Sequence, residues 1–139
     1  MNFAEAFKKL GYALESVRQD WSAEKPDGVC ISLWRKTMFH QGGMPYLDLW
    51  ELHPDGGAWE QTSGHAKRTR HISRAVEHYD GKIDVVLVTG EPGVSYQDAE
   101  PWDRVKRGGY WKITKFDPDS GFFRAEIEPN SISKKPMNA

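Results

Sequence analysis

Cysteine is almost missing from this 139-residue chain; Cys30 is the single one. No disulfide can close within the chain, so the core alone must hold it, and a reducing, cytoplasmic setting is expected. Cys30 sits in the apolar run Val29-Cys30-Ile31-Ser32-Leu33-Trp34. There a small buried hydrophobe is a simpler reading than a reactive thiol. Long apolar runs are missing too: none approaches the roughly 20 residues a helix needs to cross a bilayer. Met1-Asn2-Phe3-Ala4-Glu5 has no basic start and no apolar stretch, so neither a signal peptide nor a membrane partner is expected. Nor is there a basic excess. Nineteen Lys and Arg face twenty Asp and Glu, a net charge of −1. Any contact with nucleic acid must therefore come from a local patch.

Motifs for catalysis and metal binding are absent as well. The histidines His40, His53, His65, His71 and His78 make no H-x-x-x-H pair and have no cysteine at ligand spacing. No metal and no cofactor is expected. The acids Asp48, Glu51, Asp55, Glu60 and Asp84 fail the Asp…Glu-x-Lys nuclease pattern, since Gln61-Thr62 follows Glu60 and Leu52-His53 follows Glu51. No G-x-S-x-G, phosphate-binding Gly-rich loop or Rossmann fingerprint occurs. No catalytic residue is assigned.

Large aromatics are plentiful: six Trp, six Phe and five Tyr can build a core without staples. Residues 1–128 read as one domain, and residues 129–139 as a flexible tail. Phe3, Phe7 and Leu10 mark a short amphipathic helix stopped by Gly11. Residues 12–22 and 28–35 read as strands around the Pro26-Asp27-Gly28 turn. On the second, Val29, Ile31 and Leu33 share one face while Cys30, Ser32 and Trp34 share the other. Residues 36–45 read as a loop and 46–53 as a strand. Residues 65–79 are the clearest helix, with Ile72, Ala75, Val76 and Tyr79 at i, i+3, i+4, i+7 and Asp80-Gly81 closing it. Residues 83–89 form a buried strand, 90–104 a long loop, and 109–116 with 122–128 a hairpin. The expected fold is α+β. It has a mostly antiparallel sheet, or equally a half-open barrel, of about six strands, with one main helix packed on it.

The same helix carries Lys67, Arg70, His71 and Arg74 at i, i+3, i+4, i+7, opposite the apolar stripe. No Asp or Glu lies between Ser63 and Val76 to neutralise them. Such a face suits phosphate oxygens, although a solvated helix surface is an equal alternative. Arg68 falls near the apolar side, either snorkelling or reaching into a cleft. A second basic run holds Arg104, Lys106 and Arg107, then Lys112 and Lys115 on opposite strand faces; ordinary edge solvation explains it as well. Trp21, Trp34, Trp59, Trp102 and Trp111 flank these charges and are candidates for base stacking, though the core is the simpler place for any one of them.

The succession Arg18-x-x-Trp21-Ser22-Ala23, Pro26-Asp27-Gly28, Leu33-Trp34, a helix from Gly64, then Phe116-Asp117 and Ser120-Gly121-x-Phe123-Arg124-Ala125-Glu126 resembles a little-characterised family of small bacterial and phage domains. These stand alone or accompany restriction-type endonuclease modules. The resemblance implies a DNA-related recognition module and no catalytic residues. The leading expectation is thus a small nucleic-acid-binding module, with DNA ahead of RNA. Lys67, Arg70 and Arg74 would meet phosphates, Arg68 or His71 would lie at the site's edge, and a Trp would stack. A partner-protein module using the aromatic loop 90–111 is the rival. An enzyme with a scattered site around Asp48, His53 and Arg68 is the third reading.

Overall fold

The structure, a computed structural model, describes residues 1–55, 63–92 and 94–130. Trp59, Glu60 and the tail 131–139 lie outside them. Helix α1 spans Phe3–Lys9, and Asn2 caps it with a side chain that accepts from the Glu5 N–H while Glu5 answers to the Asn2 N–H. Strands β1 (Ser22–Lys25) and β2 (Gly28–Trp34) follow, then β3 (Phe39–Gln41) and β4 (Met44–Asp48). Next come the short helix α2 (Leu49–Leu52), the main helix α3 (Ser63–His78), β5 (Lys82–Glu91) and β6 (Ser95–Pro101). Short helix α4 (Arg104–Arg107), β7 (Gly109–Phe116) and β8 (Phe123–Pro129) complete the order.

Eight strands make one sheet in the order β1-β2-β5-β7-β8-β4-β3, with β6 also on β5. Every pairing is antiparallel except that of β2 with β5. The fold is α+β with a mostly antiparallel sheet, as expected, and the sheet is open. One edge of β5 runs along β2, and the other is shared. Lys82 and Ile83 pair with β7, and residues 86–91 pair with β6.

Strands β2 and β5 are buried on both faces. Val29, Ile31 and Leu33 with Ile83, Val85 and Leu87 join Ile72 and Ala75 of α3, Trp111 and Phe123 in the larger core. Cys30, Val86 and Val88 face the other way, against Ala6 and Phe7 of α1 and Ala99. The alternation expected along β2 is therefore real, with a helix on each side. Trp111 is fully buried in the larger core. Truncating it to alanine would cost about 3–5 kcal/mol.

Several elements differ from expectation. Residues 12–21 are turns, not strand: Asp20 accepts from the Ser16 N–H and folds the chain back, and the Tyr12 ring is buried. The expected loop 36–45 contains β3 and a hairpin whose Gly42 and Gly43 both have positive φ, the turn that suits strand twist. The expected strand 46–53 stops at Asp48, whose carboxylate caps α2 through the Glu51 N–H. The expected loop 90–104 holds β6 and runs into α4. On α3 the packed stripe is displaced: His65, Arg68, His71, Ile72 and Ala75 are buried, whereas Val76 is exposed. Helix α3 does end at Asp80-Gly81, both with positive φ, as the N–H of Gly81 reaches back to the Ala75 carbonyl.

Candidate nucleic-acid contact surfaces

The basic stripe of α3 is docked on the chain that leads into and forms β1. Lys67 Nζ donates to Glu15 at 2.8 Å and to the buried Asp20 at 3.0 Å. His71 Nδ1 lies 2.7 Å from the Ser22 hydroxyl, and its Nε2 lies 3.7 Å from Glu24. Arg74 donates to Glu24 at 2.6 Å, to the Pro26 carbonyl at 2.9 Å and to the Tyr79 hydroxyl at 2.7 Å. Helix positions 67, 71 and 74 thus meet Asp20 before β1, Ser22 and Glu24 on β1 and Pro26 in the turn after it. The absence of acids within the helix did not leave the stripe free, because the acids come from elsewhere in the chain. Lys67, His71 and Arg74 of the expected phosphate-contacting stripe therefore have partners within the chain. Arg70 alone of the four stays exposed with no carboxylate partner among the described residues.

The electrostatics agree. The Glu15 hydrogen bond, then that of Asp20, raises the Lys67 ammonium above its ordinary value. Burial pushes Asp20 up, but the Ser16 N–H and Lys67 outweigh it and leave the carboxyl lowered. Burial lowers the His71 imidazole, with Glu24 opposing. Arg68 is not a snorkelling side chain. Its guanidinium lies 4.8 Å from the Trp21 ring and 5.0 Å from the Phe123 ring, and burial brings its pKa down to about 9.

The tryptophans divide. Trp111 and Trp102 are core: their rings meet edge to face at 5.7 Å, and the Trp102 indole N–H donates to the Gly109 carbonyl at 2.9 Å. Both are buried, the core placement that the sequence offered as the simpler one. Trp34 is half-buried against the smaller core. Trp21 is half-buried, edge to face with His65 at 6.3 Å. Of the second basic run, Arg104 donates to Asp84 at 3.0 Å and Arg107 donates to Glu100 at 2.7 Å while lying over Trp102 at 4.7 Å. Lys106 is exposed. A bulge between Ile113 and Lys115 breaks the simple alternation of Lys112 and Lys115.

A surface unforeseen from the sequence lies on β3, β4, β8 and β7. In β7, Trp111 and Ile113 point into the core while Tyr110, Lys112 and Thr114 do not; in β8, Phe123 and Ala125 alternate with Arg124 and Glu126 in the same way. One face of these strands packs into the larger core and the other is wet. Helix α1 covers β5 and β6, while the short helices α2 and α4 contact β8 and β7. Cross-strand pairing sets Phe39, Tyr46, Glu126, Lys112 and Lys82 in one row. Phe39 stacks on Tyr46 with ring centres 5.6 Å apart, and the Arg124 guanidinium lies 4.3 Å from the Tyr46 ring. Lys82 lies 5.2 Å from the Tyr110 ring. Arg124 also pairs with Asp48 at 2.9 Å and Glu126 at 3.0 Å; the Glu126 hydrogen bond, then burial acting the other way, leaves its pKa raised. The alternating pattern in residues 110–114 and 124–128 carried this signal.

Among the described residues no three His, Cys, Asp or Glu side chains gather as a metal site. Both Asp48 oxygens are engaged, one by the Glu51 N–H and one by Arg124. No described helix is long and apolar enough to cross a membrane. No protein-family model, curated protein or solved structure matches the chain.

Proposed function

We propose that the protein is a small nucleic-acid-binding module that takes a single strand on the outer face of β3, β4, β8 and β7. The Phe39–Tyr46 stack beneath Arg124 is the observation that carries the reading. A half-exposed aromatic pair on the wet face of a sheet offers a stacking surface to bases of any sequence. Tyr110 with Lys82 repeats the arrangement two strands away. The net charge of −1 limits the electrostatic share, so stacking dominates affinity. The test is fluorescence anisotropy of labelled single- and double-stranded DNA and RNA at low and moderate salt, with wild type and Tyr46→Ala. Single strands should bind best, with moderate salt dependence and about tenfold weaker binding in the variant. No binding at low salt would sink the proposal.

A second reading, a partner protein on residues 90–111, draws support from Val94 and Val105, which are 85% and 88% exposed. Its expected anchors Trp102 and Trp111 are buried, which leaves that surface small.

A further inference from the structure

Where α1 ends and the outer sheet face begins, a cleft of about 680 Å³ opens between Lys25, Tyr79, Lys82, Asp84 and Arg104. Its lysines differ from the cations of α3 in what holds them. Lys25 Nζ donates to the Leu10 carbonyl at 3.1 Å and lies 4.8 Å from the Tyr12 ring. Lys82 Nζ lies over the Tyr110 ring. Neither meets a carboxylate among the described residues. A carbonyl or a ring fixes an ammonium in position without cancelling its charge, whereas a carboxylate does both.

The acids of the cleft are largely engaged. Asp84 accepts from the Tyr12 hydroxyl at 2.6 Å and from Arg104 at 3.0 Å, and Asp80 accepts from Lys112 at 3.4 Å. Asp27 stays exposed at the rim. Backbone geometry maintains the arrangement: a Cβ on Gly28 would fall 2.3 Å from the Tyr12 hydroxyl oxygen, so only glycine lets Tyr12 reach Asp84 beside Lys25.

We infer that this cleft is a phosphate-monoester site. It takes the terminal phosphate of a strand or the phosphate of a mononucleotide, with Lys25 and Lys82 as donors and Arg104 held beside them by Asp84. Each ammonium has N–H donors left over. A monoester carries roughly −1.5 to −2 at neutral pH, which suits two uncancelled ammonium groups better than a singly charged diester does. The volume exceeds that of a phosphate and leaves room for an attached nucleoside. The strand as source of the phosphate rests on the proposed function; the phosphate chemistry does not.

The test compares one short single strand carrying a 5′-phosphate, a 3′-phosphate or neither, together with adenosine monophosphate and inorganic phosphate. Each is titrated calorimetrically into wild type, Lys25→Gln and Lys82→Gln, and thermal melts check folding. A terminal phosphate should strengthen strand binding about tenfold. Lys25→Gln should erase that gain and leave the unphosphorylated strand within about twofold of wild type, and Lys82→Gln should erase the gain as well. Lys82 is exposed, so its variant keeps the test open if Lys25→Gln fails to fold. Equal affinity for phosphorylated and unphosphorylated strands overturns the site and leaves the nucleic-acid reading to Tyr46→Ala. Lysine-dependent binding of the mononucleotide without strand binding supports the site and rejects that reading. No binding of strand, mononucleotide or phosphate overturns both.

Discussion

Two basic regions of this protein look alike in composition and differ in what their cations touch. On α3, Lys67 and Arg74 end on Glu15, Asp20 and Glu24. On the outer sheet face and its cleft, Lys25 and Lys82 end on a carbonyl and on rings. The first pattern closes a seam between a helix and an edge strand. It satisfies the helix's charges and gives β1 a partner on its packed side. The second fixes cations and keeps their charge outward. A basic stripe is therefore not evidence of an anion site until its tertiary partners are known, and a ring beneath a lysine is a better indication than another lysine beside it.

The largest expected effect falls on the seam. Asp20 is buried, and it accepts from the Ser16 N–H and from Lys67. Asp20→Ala leaves both donors without it and should cost about 2–3 kcal/mol in urea denaturation. Strand affinity of the folded fraction should not change. A stability loss below about half a kilocalorie per mole would mean that the seam is ornamental.

On the other side of the comparison, Tyr46→Ala should weaken strand binding about tenfold, because one base loses its platform. Its stability cost should be smaller than that of Asp20→Ala, since Tyr46 is only half-buried and its hydroxyl donates to the exposed Glu51. Affinity and stability should thus respond in opposite order in the two variants. If both variants lowered both quantities alike, the division between seam and face would fail.

A pH titration sharpens the comparison further. Burial lowers the His71 imidazole in the folded chain, with Glu24 raising it and Arg70 and Lys67 adding to the lowering. The unfolded chain therefore takes up a proton first, near the ordinary value of about 6.5. Stability is full above that pH and falls as pH drops from there towards the depressed folded value. Glu15 and Asp20, both lowered in the fold, add their own loss only at more acidic pH, through the carboxylate range. Thermal melts from pH 7.5 to 5 should show the decline, and His71→Gln should flatten it. A decline unchanged in that variant would exclude His71 as its origin.

Where local chemistry decides, the sequence was readable. Gly11 and Asp80-Gly81 end their helices as expected, β2 alternates as written, and the 117–121 turn makes its hairpin. Legibility failed where distant residues decide. Residues 12–21 look extended by composition, yet a buried Asp20 turns them. Asp48 reads as mid-strand until its side chain caps α2. The acids at 15, 20 and 24 are far from α3 in sequence, so no helical-spacing argument could pair them with it. Which tryptophans belong to the core was illegible for the same reason. Depth in a core depends on which strands become neighbours, and β7 lies between β5 and β8.

The smallest effect belongs to Arg70, the member of the α3 stripe left exposed with no carboxylate partner among the described residues. Arg70→Glu should change stability by no more than about 0.5 kcal/mol, as for an ordinary surface position. It takes the net charge from −1 to −3, so some general repulsion of a polyanion is expected. Beyond a Debye length of about 8–10 Å that repulsion is screened, so the affinity loss should stay within about threefold at physiological salt and disappear as salt rises. Tyr46→Ala should behave differently, because stacking persists in salt. A large loss in Arg70→Glu with little in Tyr46→Ala would reverse the assignment. It would make α3 the contact surface through Arg70 and leave the aromatic face as the structural one.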